Sequence, residues 1–298
     1  MSELKKVRTY RELYQEGKKR LAAAGLAEAD TDARLLLLYI TGLRWNELLL
    51  RYEEPAAGDA AERYFAAAER RAAHEPLQYI TRGQNFCGLD LYVDERVLIP
   101  RQDTEILVEL VLQEHGKPAL KSGTHSTEMP EGEKILDLCT GSGCIAIALA
   151  KLGRFSAVSA ADISADALAV AEENLKRTGA EVTLIRSDLF SEIPGKFDVI
   201  TANPPYIQSE VIDTLTPEVR EHEPRLALDG DEDGLVFYRR LASECPAHLN
   251  PGGSVYFEIG YDQGEAVCAL LRDRGFSGVR CLKDLAGLDR VVTGVYHV

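Results

Sequence analysis

The chain has 298 residues, with 34 Lys plus Arg against 48 Asp plus Glu, a formal net charge of −14. That length suits about two domains and a core that needs neither disulfide nor metal staples. A phosphate backbone is bound mainly by Lys and Arg, so the acidic balance argues against a broad nucleic-acid surface, leaving room only for a local basic groove.

Residues 1–80 read as helical. Tyr10 to Leu21 is an Ala/Lys/Glu/Leu-rich segment ended by Gly25, and Thr31-Asp32 is the expected cap of a second helix that Thr41-Gly42 stops. A third helix is expected between Gly58 and Ala73. This polar unit of three to five helices carries no obvious catalytic set, so partner recognition or packing is its expected role. The pattern changes at Tyr79: Phe86 to Val93 alternates, a charged turn follows at Asp94-Glu95-Arg96, and Val97 to Pro100 comes next, together a short hairpin or connector. Thr104 to Glu114 is an amphipathic helix, and the Gly/Pro/Ser/Thr-rich segment 116–133 is expected to be a flexible insert.

Strands and helices then alternate. Strands are expected at Lys134–Leu138, Ala157–Ala161, Val182–Ile185, Phe197–Ala202, Ser254–Ile259 and Val291–Tyr296. Helices are expected at Ile145–Lys151, Ala165–Lys176, Leu235–Leu249 and Gly264–Gly275. This order predicts an α/β fold, an open, mostly parallel, doubly wound sheet with ligands at the carboxyl ends of its strands.

The six cysteines, at 87, 139, 144, 245, 268 and 281, include no C-x-x-C and no His at zinc-ligand spacing. Free thiols, no metal and a reducing cytosol are therefore expected. Met1 to Lys6 lacks a signal-peptide stretch, and the longest apolar run, Leu35 to Ile40, is far short of the ~20 residues that span a bilayer. A cytoplasmic protein away from membranes is the expectation.

Three strand ends carry candidate chemistry. After the first strand of the sheet, Cys139-Thr140-Gly141-Ser142-Gly143 forms a turn in which two glycines allow close backbone approach. Alone it fits a dinucleotide, a flavin, a nucleoside, or a tight turn with no ligand. Asp162 ends the next strand, where a carboxylate can accept both hydroxyls of a ribose or cap the following helix. Asp188 and Leu189, after the third, could hold an adenine. Together the three point to a nucleoside. Asn203-Pro204-Pro205-Tyr206 follows the fourth strand, where two prolines stiffen the loop. A planar NH2 group could donate to the Asn203 oxygen and the Pro204 carbonyl, with Tyr206 offering a flat face.

N-P-P-Y with D-x-x-T-G-S-G resembles the S-adenosylmethionine-dependent methyltransferases that modify planar amino nitrogens. Further stretches narrow the resemblance: Glu75 to Ile80, Phe86-x-Gly88, Val97 to Glu105, Glu223-Pro224-x-x-Ala227-Leu228, Glu258-Ile259-Gly260-x-x-Gln263-Gly264 and Asp284 to Arg290. All resemble the peptide-chain release factor glutamine methyltransferases, the PrmC/HemK family. The chain departs from the family's pattern at Arg82 and Asp231, where Gly is usual, and at Gln102, where Pro is common.

The resemblance implies a Rossmann-like class I methyltransferase sheet, with a helical substrate-recognition domain at 1–80, a β-hairpin connector at 81–103 and the methyltransferase domain at 104–298. It implies S-adenosylmethionine lying across Cys139, Thr140, Gly141, Ser142 and Gly143, with Asp162 on the ribose, Asp188 and Leu189 at the adenine, and Asn203 beside it. Asn203, Pro204 and Tyr206 would carry the transfer, and Phe86, Arg101, Pro205 and Tyr206 would meet the substrate. That substrate would be the glutamine of the Gly-Gly-Gln loop of class I release factors, met by a monomer without direct nucleic-acid contact. Arg82 and Arg101 are the basic residues expected to matter. The alternatives are glutamine methylation of a large-subunit ribosomal protein, which has a different connector, and exocyclic-amine methylation of nucleic acid. No well-placed His is evident, and Glu221-His222-Glu223 is expected to be a solvated loop.

Overall fold

The computed structural model describes residues 8–116 and 132–297, and the expected insert lies, apart from its ends, outside the described residues. The chain divides into two compact units. One holds residues up to Arg82 together with Thr216–His222, and the other holds Gly83–Leu215 and Glu223 onward.

The first unit contains α1 (Tyr10–Ala23), α2 (Ala29–Thr41), α3 (Trp45–Leu50), α4 (Ala60–Ala72) and α5 (Leu77–Thr81). A capping box opens α1: the Thr9 hydroxyl accepts from the Glu12 N–H at 3.2 Å, and Glu12 accepts from the Thr9 N–H at 3.0 Å. Gly17, inside α1, is required by packing, since a Cβ there would run into the Tyr64 ring. The Tyr64 hydroxyl donates to the Ala33 carbonyl at 3.2 Å, so this contact ties α1, α2 and α4. The expected cap at Thr31-Asp32 is corrected. The helix starts at Ala29, and Asp32 faces inward, accepting from Arg71 Nε at 2.7 Å. The helices α3 and α5, too short to display a 3.6-residue period and so not placed individually, bring the segment up to Arg82 to the upper end of the expected three to five.

The second unit opens with β1 (Gln84–Phe86) and β2 (Leu89–Leu91), an antiparallel hairpin. Its turn is Cys87-Gly88, at φ +50° and +77°, and not Asp94–Arg96 as expected. Two left-handed residues in succession match the twist of paired strands. The Asp94 carboxylate is instead occupied by the Arg96 guanidinium and the Tyr92 hydroxyl, and Val97–Pro100 forms no strand.

Then come α6 (Gln102–Glu114), β3 (Lys134–Leu138), α7 (Cys144–Leu152), β4 (Ala157–Asp162), α8 (Ala165–Thr178), β5 (Thr183–Arg186) and β6 (Phe197–Ala202). After two short helices, α9 (Ser209–Ile212) and α10 (Pro217–His222), the latter in the helical unit, come α11 (Val236–His248), β7 (Leu249–Glu258), α12 (Gly264–Asp273), β8 (Phe276–Lys283) and β9 (Asp289–Tyr296). The seven-stranded sheet runs β5-β4-β3-β6-β7-β9-β8, with β9 antiparallel to both of its neighbours and all other pairings parallel. This is the doubly wound, class I methyltransferase arrangement. Strand order reverses between β3 and β6, which opens a crevice at their carboxyl ends. Buried clusters around Leu136, Ile200, Phe257 and Tyr238, and around Ile135, Ile147, Val199 and Leu107, provide the core. The edge strand β8 was not expected, because its half-exposed FSGVRCLK pattern shows little alternation.

Candidate active site

The register of the sheet assembles the site. Leu138 pairs with Ala202, so the next residues, Cys139 and Asn203, leave β3 and β6 side by side at the reversal point. Beneath them Asp137 is fully buried and accepts from the Thr140 hydroxyl at 2.6 Å and the Thr201 hydroxyl at 2.7 Å. Those bonds lock the Gly-rich turn to both strands. Burial pushes the Asp137 carboxyl up to about 7, against the two hydroxyls that favour its charge.

The turn itself needs left-handed backbone at Cys139 (φ +56°), Gly141 (+55°) and Gly143 (+81°). A Cβ on Gly141 would find no atom within 4 Å, so the turn borders open space there. Gly143 is the N-cap of α7. The Asp162 carboxylate accepts from the Gly141 N–H at 2.8 Å and the Ser164 N–H at 2.9 Å, one on each oxygen. Each oxygen keeps a further lone pair for a ligand hydroxyl. Burial raises the Asp162 carboxyl above its ordinary value despite those two bonds. Asp188 pairs with Arg240 at 2.8 Å, and Leu189 is buried with φ +47°. The Cys139 thiol is pushed well up by burial and by Asp162 and Asp137, so it stays protonated and is no nucleophile.

The N-P-P-Y loop is pinned at both ends. Asn203 Nδ2 lies 3.5 Å from Thr104 Oγ1. Gln263 Nε2 donates to the Tyr206 carbonyl at 3.0 Å and the Gly234 carbonyl at 3.1 Å, while its oxygen accepts from the Gly260 N–H at 2.9 Å. Gly230 and Gly234 lie so close to the Tyr206 backbone that a Cβ at either would collide with it. Burial pushes the Tyr206 phenol up to about 12, so it too stays protonated.

A single cleft is lined by Cys139, Thr140, Gly141, Ser142, Asp162, Asp188, Leu189, Asn203, Pro205 and Arg101 among the residues singled out from sequence. Gly143, Pro204 and Tyr206 are outside the lining set. Gly143 caps a helix, Pro204 is buried and Tyr206 packs on the sheet core. Phe86 is a correction: it is 1 % exposed and packs in the core cluster with Leu107 and Val111, because alternation in β1 turns its ring inward. It walls no cleft. The solvated-loop expectation also fails at Glu223, which is buried and paired with Arg101, and His222 falls with α10 in the helical unit, outside the cleft lining.

The cleft adds residues that sequence reasoning passed over. Arg96, Thr104, Leu226 and Phe237 line it. Behind Asn203 lies the buried Glu258 carboxyl; burial pushes it up to about 7, against the Thr104 and Asn203 side chains, which favour its charge. Thr104 and Glu258 stood inside recognised motifs, but nothing local distinguished them from packing residues. Among the described residues no helix is long and apolar enough to cross a membrane, and no group of His, Cys, Asp and Glu could hold a metal ion.

Residues 12–81 match the family model described as the PrmC N-terminal domain, and residues 124–231 match the methyltransferase small domain. The release factor glutamine methyltransferase of Agrobacterium fabrum is 42 % identical over 278 residues, 93 % of each chain. The enzyme of the same name from Geobacter sulfurreducens is 39 % identical over 295 residues, 99 % of each chain. Among solved structures, the release factor-specific protein-(glutamine-N5) methyltransferase of Alicyclobacillus acidocaldarius is 31 % identical. It covers 67 % of this chain and 95 % of its own, with a TM-score of 0.41.

Proposed function

The chain belongs to the release factor glutamine methyltransferase family, and from that premise we propose that it methylates the glutamine of the Gly-Gly-Gln motif of class I release factors. The methyl donor is S-adenosylmethionine and the acceptor is the side-chain amide nitrogen. The observation that carries this reading is the Leu138–Ala202 register, which sets a nucleoside-type turn directly beside Asn203-Pro204-Pro205-Tyr206.

The residues present fit the cofactor. Gly141 leaves open the space a Cβ would fill, and Asp162 is held by two backbone N–H groups with acceptor capacity to spare for ribose hydroxyls. Cys139 to Gly143 would cradle it, with Asp188 and Leu189 at the base. When bound, S-adenosylmethionine supplies an electrophilic methyl group on a sulfonium sulfur, so the protein's task is chiefly to position and stabilise.

An amide nitrogen is a weak nucleophile because its lone pair is delocalised into the carbonyl. The Asn203 oxygen and the Pro204 carbonyl accept the two N–H bonds of the substrate amide, orient its nitrogen and stabilise positive charge developing there. The nitrogen gains a carbon and loses one proton, which passes to water after transfer. The protonated Tyr206 phenol and Cys139 thiol take no part as bases.

In the same reading the helical segment 1–80 recognises the release factor, 81–103 connects, and 104–298 carries the chemistry in a monomer that touches no nucleic acid. The test offers labelled S-adenosylmethionine with release factor, ribosomal protein or DNA in separate reactions. Label on the Gly-Gly-Gln glutamine alone is expected, and label only on DNA or the ribosomal protein would overturn the reading. Asn203→Ala is expected to bind cofactor normally while losing about 10²–10³-fold in turnover, the scale of removing one preorganised polar group.

A further inference from the structure

A carboxamide fits its site almost equally well in either of two orientations that exchange oxygen for NH2. For Asn203 the difference decides function. Turned one way it accepts from the substrate NH2; turned the other it sets two donors against two donors. This inference rests on the reading of Asn203 given above and asks what chooses the orientation.

The groups behind Asn203 form a polar chain. Its Nδ2 lies 3.5 Å from Thr104 Oγ1, and Thr104 is 2 % exposed in the first turn of α6. The Thr104 and Asn203 side chains both favour the charge of the Glu258 carboxyl, which is 2 % exposed at the end of β7, where the Ala202–Phe257 register sets it beside Asn203. An ionised carboxyl is acceptor-only, and a protonated one still offers an acceptor oxygen. With its single proton drawn to the neighbouring carboxyl, the hydroxyl turns lone pairs toward Asn203, and Thr104 Oγ1 is the acceptor side of the 3.5 Å contact. Lone pairs attract the NH2 side of the carboxamide and repel its oxygen. Glu258 Oε2 is buried without a hydrogen-bond partner, so this acceptor surplus is not spent elsewhere.

We propose that Thr104 and Glu258 are positioning residues that set the polarity of the Asn203 carboxamide, so that its oxygen rather than its NH2 group meets the substrate amide. Neither touches the reacting atoms. Their effect passes wholly through Asn203, which makes it separable from a structural role.

The experiment is a double-mutant cycle read by single-turnover methylation of the release factor. Thr104→Val keeps the side-chain shape and removes the hydroxyl. It is expected to lower the transfer rate by about 10–100-fold, the cost of a misplaced group, while cofactor Kd stays within about twofold. Thr104→Ser restores the hydroxyl and should restore most of the rate. In an Asn203→Ala background Thr104→Val should have no further effect, because the residue it acts through is gone. A Thr104→Val rate equal to wild type, or the same loss with and without Asn203, overturns the proposal. Should Thr104→Val fail to fold, Glu258→Gln serves in the same cycle: its NH2 group can donate to Thr104, so a lower rate that vanishes in Asn203→Ala is expected, and a wild-type rate refutes. If Asn203→Ala itself turns over normally, the role of Asn203 falls and the polarity relay with it, a result distinct from an impaired Asn203→Ala beside a normal Thr104→Val.

Discussion

Arg101 Nη2 donates to both carboxylate oxygens of Glu223, at 2.7 and 2.6 Å, joining residues 122 positions apart. The Glu223 side chain is 1 % exposed and that of Arg101 41 %. The charge expected to stand ready for a partner is therefore matched inside its own unit. Removing only the cation takes both charge-assisted bonds of Arg101 from a buried carboxylate. Arg101→Met is expected to destabilise by about 1–3 kcal/mol, below the cost for a fully buried pair because Arg101 is half in water. Arg101→Met with Glu223→Leu should recover most of that loss in urea unfolding. Equal loss in the single and double variants would show that the pair is not the source.

Asp162 offers a second test, on the cofactor side. Both oxygens already accept backbone N–H groups, and Asp162→Asn would turn an NH2 against one of them. Affinity for S-adenosylmethionine, measured by calorimetry, is expected to fall about 10–100-fold, the scale of a hydrogen bond to a charged group. Unchanged affinity would remove Asp162 from the ribose role.

Stability should depend on pH through the two buried carboxyls. Asp137 and Glu258 are both pushed up to about 7 by burial. The folded state then binds protons that the unfolded chain has already released, so stability falls as pH rises from the ordinary carboxyl range to about 7. A carboxylate held low, such as Asp284 by the Leu288 N–H and by Arg290, has its full contribution above that range and adds no slope. Between pH 5 and 7, Glu258→Gln should flatten the decline by up to about 1.4 kcal/mol per pH unit, one proton's worth. Urea midpoints across that window check it, and parallel slopes for variant and wild type would contradict it.

The two departures from the family's glycine pattern both fall on left-handed backbone: Arg82 at φ +56°, closing α5, and Asp231 at φ +71°. A side chain costs about 1–2 kcal/mol there, against about 0.5–1 kcal/mol of extra unfolded-state entropy for glycine. The backbone part of Arg82→Gly is therefore worth roughly 0.5–1 kcal/mol of stabilisation, and the interaction that Arg82 makes is lost beside it. Asp231→Gly should gain less, because Asp tolerates this region better than Arg. Thermal unfolding of each Gly variant beside the Ala variant at the same position isolates the backbone part, since Ala removes the same side-chain interaction and keeps the Cβ; Gly no more stable than Ala at Arg82 would contradict it.

Most of the alternating strands and helices, and the two loops that carry the chemistry, were legible in the sequence. Hydrophobic period, glycine turns and proline-stiffened loops are local properties, written in consecutive residues. The resemblance to the family added the cofactor and the substrate, and curated relatives about 40 % identical over nearly the whole chain agree with it. Less was legible where an assignment needed a partner far along the chain. Asp32 looked like a cap until Arg71 met it inside the helical unit. Phe86 looked like a pocket wall until strand alternation turned it into the core.

By itself the sequence determined the doubly wound order of elements and the two motifs, because backbone sterics and burial periodicity act within a few residues. Only the tertiary structure decided that Leu138 pairs with Ala202 and so brings Cys139 and Asn203 together. Only it placed Thr104 and Glu258 behind Asn203. Register and strand order are settled by the packing of the whole sheet, and no local period encodes them.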